Sequence, residues 1–240
     1  MGTRTMAGHV IVTGGASGIG AAVVRNLRDR GLAVSVFDLH PPDRDDVHSD
    51  LVDLRDDAAV DRAVAAAWRR GPVGGVVACH GIRGAYVPAL EMDVARLREQ
   101  FEVHVVGSFS VARAVVRRLD GAPGSIVLIS STTAYRGWAN QVDYGTAKAA
   151  ERQLMENLAV EWAPLGVRVN AIAPGHTRTP MVESLIAGGY DIGDAERRTP
   201  RGTLAAPEEI AEAVAWMLCD ASHVIGQCLP VDGGWTVVGK

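Results

Sequence analysis

Short apolar runs and amphipathic stretches take turns along most of this chain. HVIVTG (9–14) and AVSVFD (33–38) are largely apolar and end at a turn or an acidic residue, the pattern of strands covered on both faces in a parallel sheet. Between them, GIGAAVVRNLRDRG spaces its apolar residues three and four apart, as an amphipathic helix does. The unit recurs as a helical pattern at about 56–70, the run VGGVVAC (73–79), a long helical stretch at about 93–119, the run SIVLISS (125–131), a helix at about 142–163 and the run VRVNAIAP (167–174). This alternation predicts an α/β protein built on a doubly wound parallel sheet with helices on both faces. The rhythm breaks after Pro174, and 176–206, rich in Gly, Thr, Arg and Pro, reads as a long lid or binding loop. A helix at about 207–219 then leads to LPVDGGW. No repeat and no Pro/Ser-rich linker divides 1–240, so a single domain is expected.

Composition narrows the class. A chain of 240 residues, 48% hydrophobic and 22% charged, can bury a full core. The net charge of −4 and the scattered basic residues imply neither a nucleic acid nor a membrane partner. The first ten residues lack the apolar stretch of a leader, and no apolar run reaches membrane-spanning length, so a cytoplasmic protein is expected. Cys79, Cys219 and Cys228 form no CxxC pair and read as small apolar residues, with no disulfide and no metal site.

The charge pattern holds one anomaly. Of 24 basic residues only Lys148 and the C-terminal Lys240 are lysine. A compact ammonium at one internal point marks a place that the forked guanidinium of arginine does not fill. Tyr144 stands four residues earlier, on the same face of a helix, where an ammonium favours the ionised form of a phenol.

A second candidate lies at the first strand, which runs into TGGASGIG. Gly14, Gly18 and Gly20 there allow the tight turn and close backbone approach that a pyrophosphate at a helix N-terminus needs. Asp38 closes the second strand about 20 residues on, the position of a carboxylate that accepts from both ribose hydroxyls and repels a 2′-phosphate, so NAD is favoured over NADP.

Together these motifs resemble the short-chain dehydrogenase/reductase family, over nearly the whole chain. TGGASGIG has that family's glycine spacing, and Tyr144-GTA-Lys148 follows Ser131 by the family's interval of 13 residues. Pro174-Gly175-HTR-Thr179 and the closing PEEIAEAVAWMLCDASHVIGQCLPVDGG match as well. The resemblance implies a Rossmann-type fold and an alcohol dehydrogenase or ketoreductase, with Ser131, Tyr144 and Lys148 as catalytic residues. It implies cofactor contacts from Gly14, Ser17, Gly18, Ile19, Gly20, Asp38, Gly81, Tyr144, Lys148, Pro174, Gly175, Thr177 and Thr179, with Asp50 and Leu51 by the adenine. A homotetramer is also implied.

Two places depart from the family pattern. Ala78-Cys79-His80-Gly81 stands where most members have NNAG, and His104 takes the fourth catalytic position, normally an asparagine at a helix kink whose backbone carbonyl holds a water of the proton relay. His104 therefore acts either through its carbonyl alone or through an imidazole titrating near neutrality. Thr133, Trp138, Gln141 and His176 are expected beside Ser131 on the substrate side. Arg83, Tyr86, Tyr190, Arg197 and Arg198 are candidates there too, and an inward arginine would imply a substrate carboxylate.

The short segment after Asp38 resembles dehydrogenases of cyclic dihydrodiols and related ring alcohols. A 3-oxoacyl-[acyl-carrier-protein] reductase is the alternative, disfavoured by Asp38 and by Ser17 where those enzymes often carry arginine. A non-catalytic NAD-binding sensor is the alternative of another class.

Overall fold

The computed structural model describes residues 8–238; the first seven residues, part of the stretch on which the absence of a leader was read, lie outside them. The elements follow in order as β1 (His9–Thr13), α1 (Gly18–Asp29), β2 (Ala33–Asp38), β3 (His48–Leu51), α2 (Asp57–Arg70), β4 (Val73–Ala78), α3 (Val94–Phe101), α4 (Gly107–Val116), β5 (Gly124–Ile129), α5 (Val142–Trp162), β6 (Val167–Pro174), α6 (Pro180–Ala187), α7 (Ile192–Arg198), α8 (Pro207–Ala215) and β7 (Cys228–Val231). All seven strands are parallel, in the order β3-β2-β1-β4-β5-β6-β7.

Alternation along each strand divides the core in two. From β1, Ile11 faces a layer with Val60 and Val64 of α2, Val111 and Val115 of α4, and Met155 of α5. Val10 and Val12 face the opposite layer, with Val23 and Leu27 of α1 and Ile210 and Val214 of α8. Each such side chain, fully withdrawn from water, contributes about 1.5–3 kcal/mol. Strand order reverses between β1 and β4, so the crevice at their C-terminal ends is the place where a doubly wound sheet binds its ligand.

Four features differ from the sequence reading. The edge strand β3, too polar (HSDL) to show an apolar run, pairs with β2 in register Phe37↔Asp50. The helix expected over 93–119 is broken by a π-helical turn at Glu102–Val106, and a second such turn, Trp216–Asp220, follows α8. β5 stops at Ile129, so Ser131 caps the turn Thr132–Ala134 instead of closing a strand. The 176–206 segment is not one loop but carries α6 and α7. Each has a side-chain cap: Thr179 Oγ1 accepts from Val182 N at 3.3 Å, and an Asp191 carboxylate oxygen from Gly193 N at 3.0 Å.

Candidate active site

A cleft of about 550 Å³ opens at the reversal point between β1 and β4. Its floor is the glycine turn. Gly14 has φ +65°, and a Cβ there would stand 2.6 Å from His80 Cα; one on Gly20 would stand 2.0 Å from Gly14 O. Ser17 makes no side-chain cap to α1, and the first turn of that helix carries no acid, so its N–H groups and dipole are open to an anion. Glycines that hold backbone against backbone before an uncapped helix start fit a pyrophosphate.

Asp38 stands beside this turn. One carboxylate oxygen accepts from Ala16 N at 3.0 Å and the other from His40 N at 3.1 Å. Both bonds fix the carboxylate at the cleft wall, and a carboxylate has acceptor sites to spare.

The remaining residues expected at the cofactor also line the cleft, with two exceptions. Asp50 and Leu51 do not. Both lie within β3, where Asp50 is bound by Arg70 at 2.7 and 3.0 Å and Leu51 is 67% exposed. The chain turns into the cleft only beyond the strand end, and Val52, Asp53 and Leu54 line it there. The Arg55 guanidinium holds the Asp53 carboxyl below its ordinary range.

Ser131, His104, Tyr144 and Lys148 converge on the same cleft. Ser131 Oγ accepts from Thr133 N at 3.2 Å. Lys148 is 3% exposed, and its Nζ lies 5.8 Å from the centroid of the Tyr144 ring. The ammonium donates to Ile129 O at 2.7 Å and to Glu151 Oε2 at 2.8 Å, while Ser108 Oγ donates to Glu151 Oε1 at 2.9 Å. Burial works against a charge on Lys148, but Glu151 and Tyr144 outweigh it and hold the ammonium above its ordinary value. Asp143 fastens the start of α5, accepting from Tyr144 N and from Ala85 N at 2.8 Å each.

Of the two histidines that replace asparagine or alanine, His104 is buried and His80 half-buried, and both are neutral. His80 Nε2 donates to Val103 O at 2.9 Å, leaving Nδ1 to accept from the Thr13 hydroxyl at 2.6 Å. It thereby ties the end of β1 to the π turn, and burial holds its imidazole down to about 4. His104 sits in that turn, 1% exposed, edge-on to Tyr144 at 5.5 Å, with Nε2 3.2 Å from Ile82 O. Burial, with Lys148 and His80 nearby, keeps it well below its ordinary pKa, so the imidazole does not titrate near neutrality. Its Nδ1 is buried and has no partner among the described residues.

Of the residues expected on the substrate side, Ser131 lines the cleft and Thr133, Trp138, Gln141 and His176 do not. Aromatic stacking draws Trp138 and His176 together at 5.2 Å, with Trp235 4.9 Å from Trp138, and His176 Nε2 is 2.9 Å from the Tyr190 hydroxyl. Thr133 Oγ1, Trp138 Nε1 and Gln141 Oε1 are buried without partners among the described residues. No arginine among the candidates turns into the cleft: Arg197 pairs with Asp191 and Asp194, Arg198 lies over the Trp235 ring at 4.2 Å, and Arg83 is exposed.

Sequence reasoning missed Asp53, Asp143 and Glu151, and marked His80 only as a departure from the family pattern. For Glu151 a signal existed, an acid one helical turn after the lone internal lysine.

Comparison with known proteins gives the family. A family model described as enoyl-(acyl carrier protein) reductase matches residues 14–236. The chain is 40% identical over 243 residues to a cis-4-hydroxycyclohexanecarboxylate dehydrogenase of Sinomonas cyclohexanicum, covering 95% of this chain and 96% of that one. It is 32% identical over 246 residues to a 2,5-dichloro-2,5-cyclohexadiene-1,4-diol dehydrogenase of Sphingobium indicum, with 95% and 97% covered. A solved short-chain type dehydrogenase/reductase from Mycobacterium ulcerans superposes with a TM-score of 0.90 at 29% identity, covering 98% of this chain and 91% of that one.

Proposed function

Because the chain belongs to the short-chain dehydrogenase/reductase family and is an oxidoreductase that works with a nicotinamide cofactor, we propose that it is an NAD-linked dehydrogenase of secondary ring alcohols. The observation that carries the proposal is one cleft lined by the glycine turn, Asp38, Ser131, Tyr144 and a buried Lys148. The ring alcohol is supported by the two relatives named for cyclohexane and cyclohexadiene alcohols, and by the apolar wall of Ile82, Met181 and Val182. The non-catalytic alternative falls away, since the relatives are dehydrogenases.

In this reading the dinucleotide, when bound, supplies or takes the hydride. Tyr144 moves the matching proton to or from the substrate oxygen, as acid or base. Ser131 holds that oxygen by a hydrogen bond, and Lys148 sets its positive charge beside the Tyr144 ring. α6 and α7 serve as the lid.

A 3-oxoacyl thioester reductase is the second reading, favoured by the description of the matching family model. Assaying a panel of ring alcohols, their ketones and 3-oxoacyl thioesters with each nicotinamide cofactor decides between the two. Turnover confined to acyl thioesters with NADPH would overturn the first.

Cofactor choice rests on Asp38. NADH should bind at least about tenfold more tightly than NADPH, about 1.4 kcal/mol, and Asp38→Ser should narrow the gap mainly by relieving repulsion of the 2′-phosphate. Equal affinities in fluorescence titrations of the native protein would refute this.

The buried, neutral His104 leads to a different expectation. His104→Asn should leave the pH profile of turnover without any change near neutrality, because the native imidazole stays uncharged across that range. A native limb near pH about 6.5 that disappears in the variant would make the imidazole a proton carrier.

A further inference from the structure

Lys148 and Glu151 form a closed pair inside the protein. Their side chains are 4% and 1% exposed and 2.8 Å apart, and the second carboxylate oxygen is taken by Ser108. An ammonium has three hydrogens; Ile129 O and Glu151 Oε2 take two, which leaves one for a ligand in the cleft.

The other titratable groups facing the pair are Tyr144 on α5, Cys79 at the end of β4, His80 beside it, His104 in the π turn and Cys228 on β7. Four of these carry no charge at neutral pH. The Cys79 thiol is pushed up to about 12, that of Cys228 also upward, and the two imidazoles stay unprotonated. Tyr144 is the reacting group itself. Burial raises the Glu151 carboxyl as well, but Lys148 and the Ser108 hydroxyl both favour its ionised form, and Glu151 is the one carboxylate that the ammonium meets among the described residues.

We propose that Glu151 is a positioning residue of the reaction, a buried counter-ion that keeps Lys148 charged before any cofactor arrives. The geometry gives the reason. An unpaired lysine in so dry a place loses its proton readily, and a neutral amine does not hold its ligand as strongly. The inference rests on the proposed role of Lys148, but it is tested without substrate or turnover.

The sequence itself makes the test clean. Only Lys148 and Lys240 are lysine, so Lys240→Arg protein grown on ¹³Cε-lysine carries a single labelled lysine. In that protein the Lys148 signal should remain that of an ammonium up to pH about 10, near the value for a free lysine. In Glu151→Gln the same signal should lose its charge at lower pH, within the range over which the native signal is flat. NADH affinity, read by fluorescence, should then fall at least about tenfold between pH 7 and 10 in the variant, a loss the native protein does not show. Glu151→Asp should restore both curves in large part.

A folded Glu151→Gln whose Lys148 titrates as the native residue does would overturn the proposal. If that variant does not fold, the native signal still decides: a Lys148 already neutral at pH about 8 rules the counter-ion out. Failure of either kind leaves the alcohol panel untouched, so the two readings fail separately.

Discussion

Tyr144→Phe should reduce turnover by about 10² to 10⁴ while leaving NADH affinity within about twofold of native. The substitution deletes one oxygen and keeps the ring, so the edge-on contact with His104 and the packing of α5 survive. The lost step is proton transfer to or from the substrate oxygen, about 3–5 kcal/mol of barrier. Single-turnover and binding measurements separate the two effects. A variant that keeps a tenth of native activity would show that another group moves the proton.

Lys148→Arg should be nearly as damaging, with kcat/KM down at least about a hundredfold and NADH binding weakened as well. Charge alone does not rescue it. The native Nζ is wedged between Ile129 O and Glu151, and Ser130 Oγ bonds the Lys148 carbonyl at 3.1 Å, so the backbone cannot retreat. A guanidinium in that space either displaces Glu151 or leaves the cleft. Loss of kcat/KM in a protein that still folds, with a lowered thermal midpoint because the buried pair is broken, is the expected signature; a variant within tenfold of native would mean that Lys148 acts by charge and not by position.

Much of this was legible in the residues, for definite reasons. Strands such as HVIVT and VGGVVA are covered on both faces, so their apolar runs stand out, and the glycine turn and Tyr144-Lys148 are local patterns. The edge strand HSDL is mostly polar and shows no such run. The π turn at Glu102–Val106 hides within helical periodicity, because one inserted residue shifts the face without ending the helix. Asp50 and Asp53 lie three residues apart, and which one meets the cleft depends on where β3 ends. Ser108 with Glu151, Thr13 with His80 and Ala85 with Asp143 are bonds between distant segments, and only the folded chain brings them together.

The order of the strands also governs how the protein is made. β4 is buried along its whole length, between β1 on one side and β5 on the other. As the chain leaves the ribosome, β1 to β4 are able to pair while β5, at Gly124–Ile129, is still unsynthesised. Throughout that interval an apolar strand presents an open edge, the kind of template on which nascent chains join one another. The yield of active protein should therefore depend on the pace of elongation and on chaperones that shield an unfinished sheet, more than on the stability of the finished one.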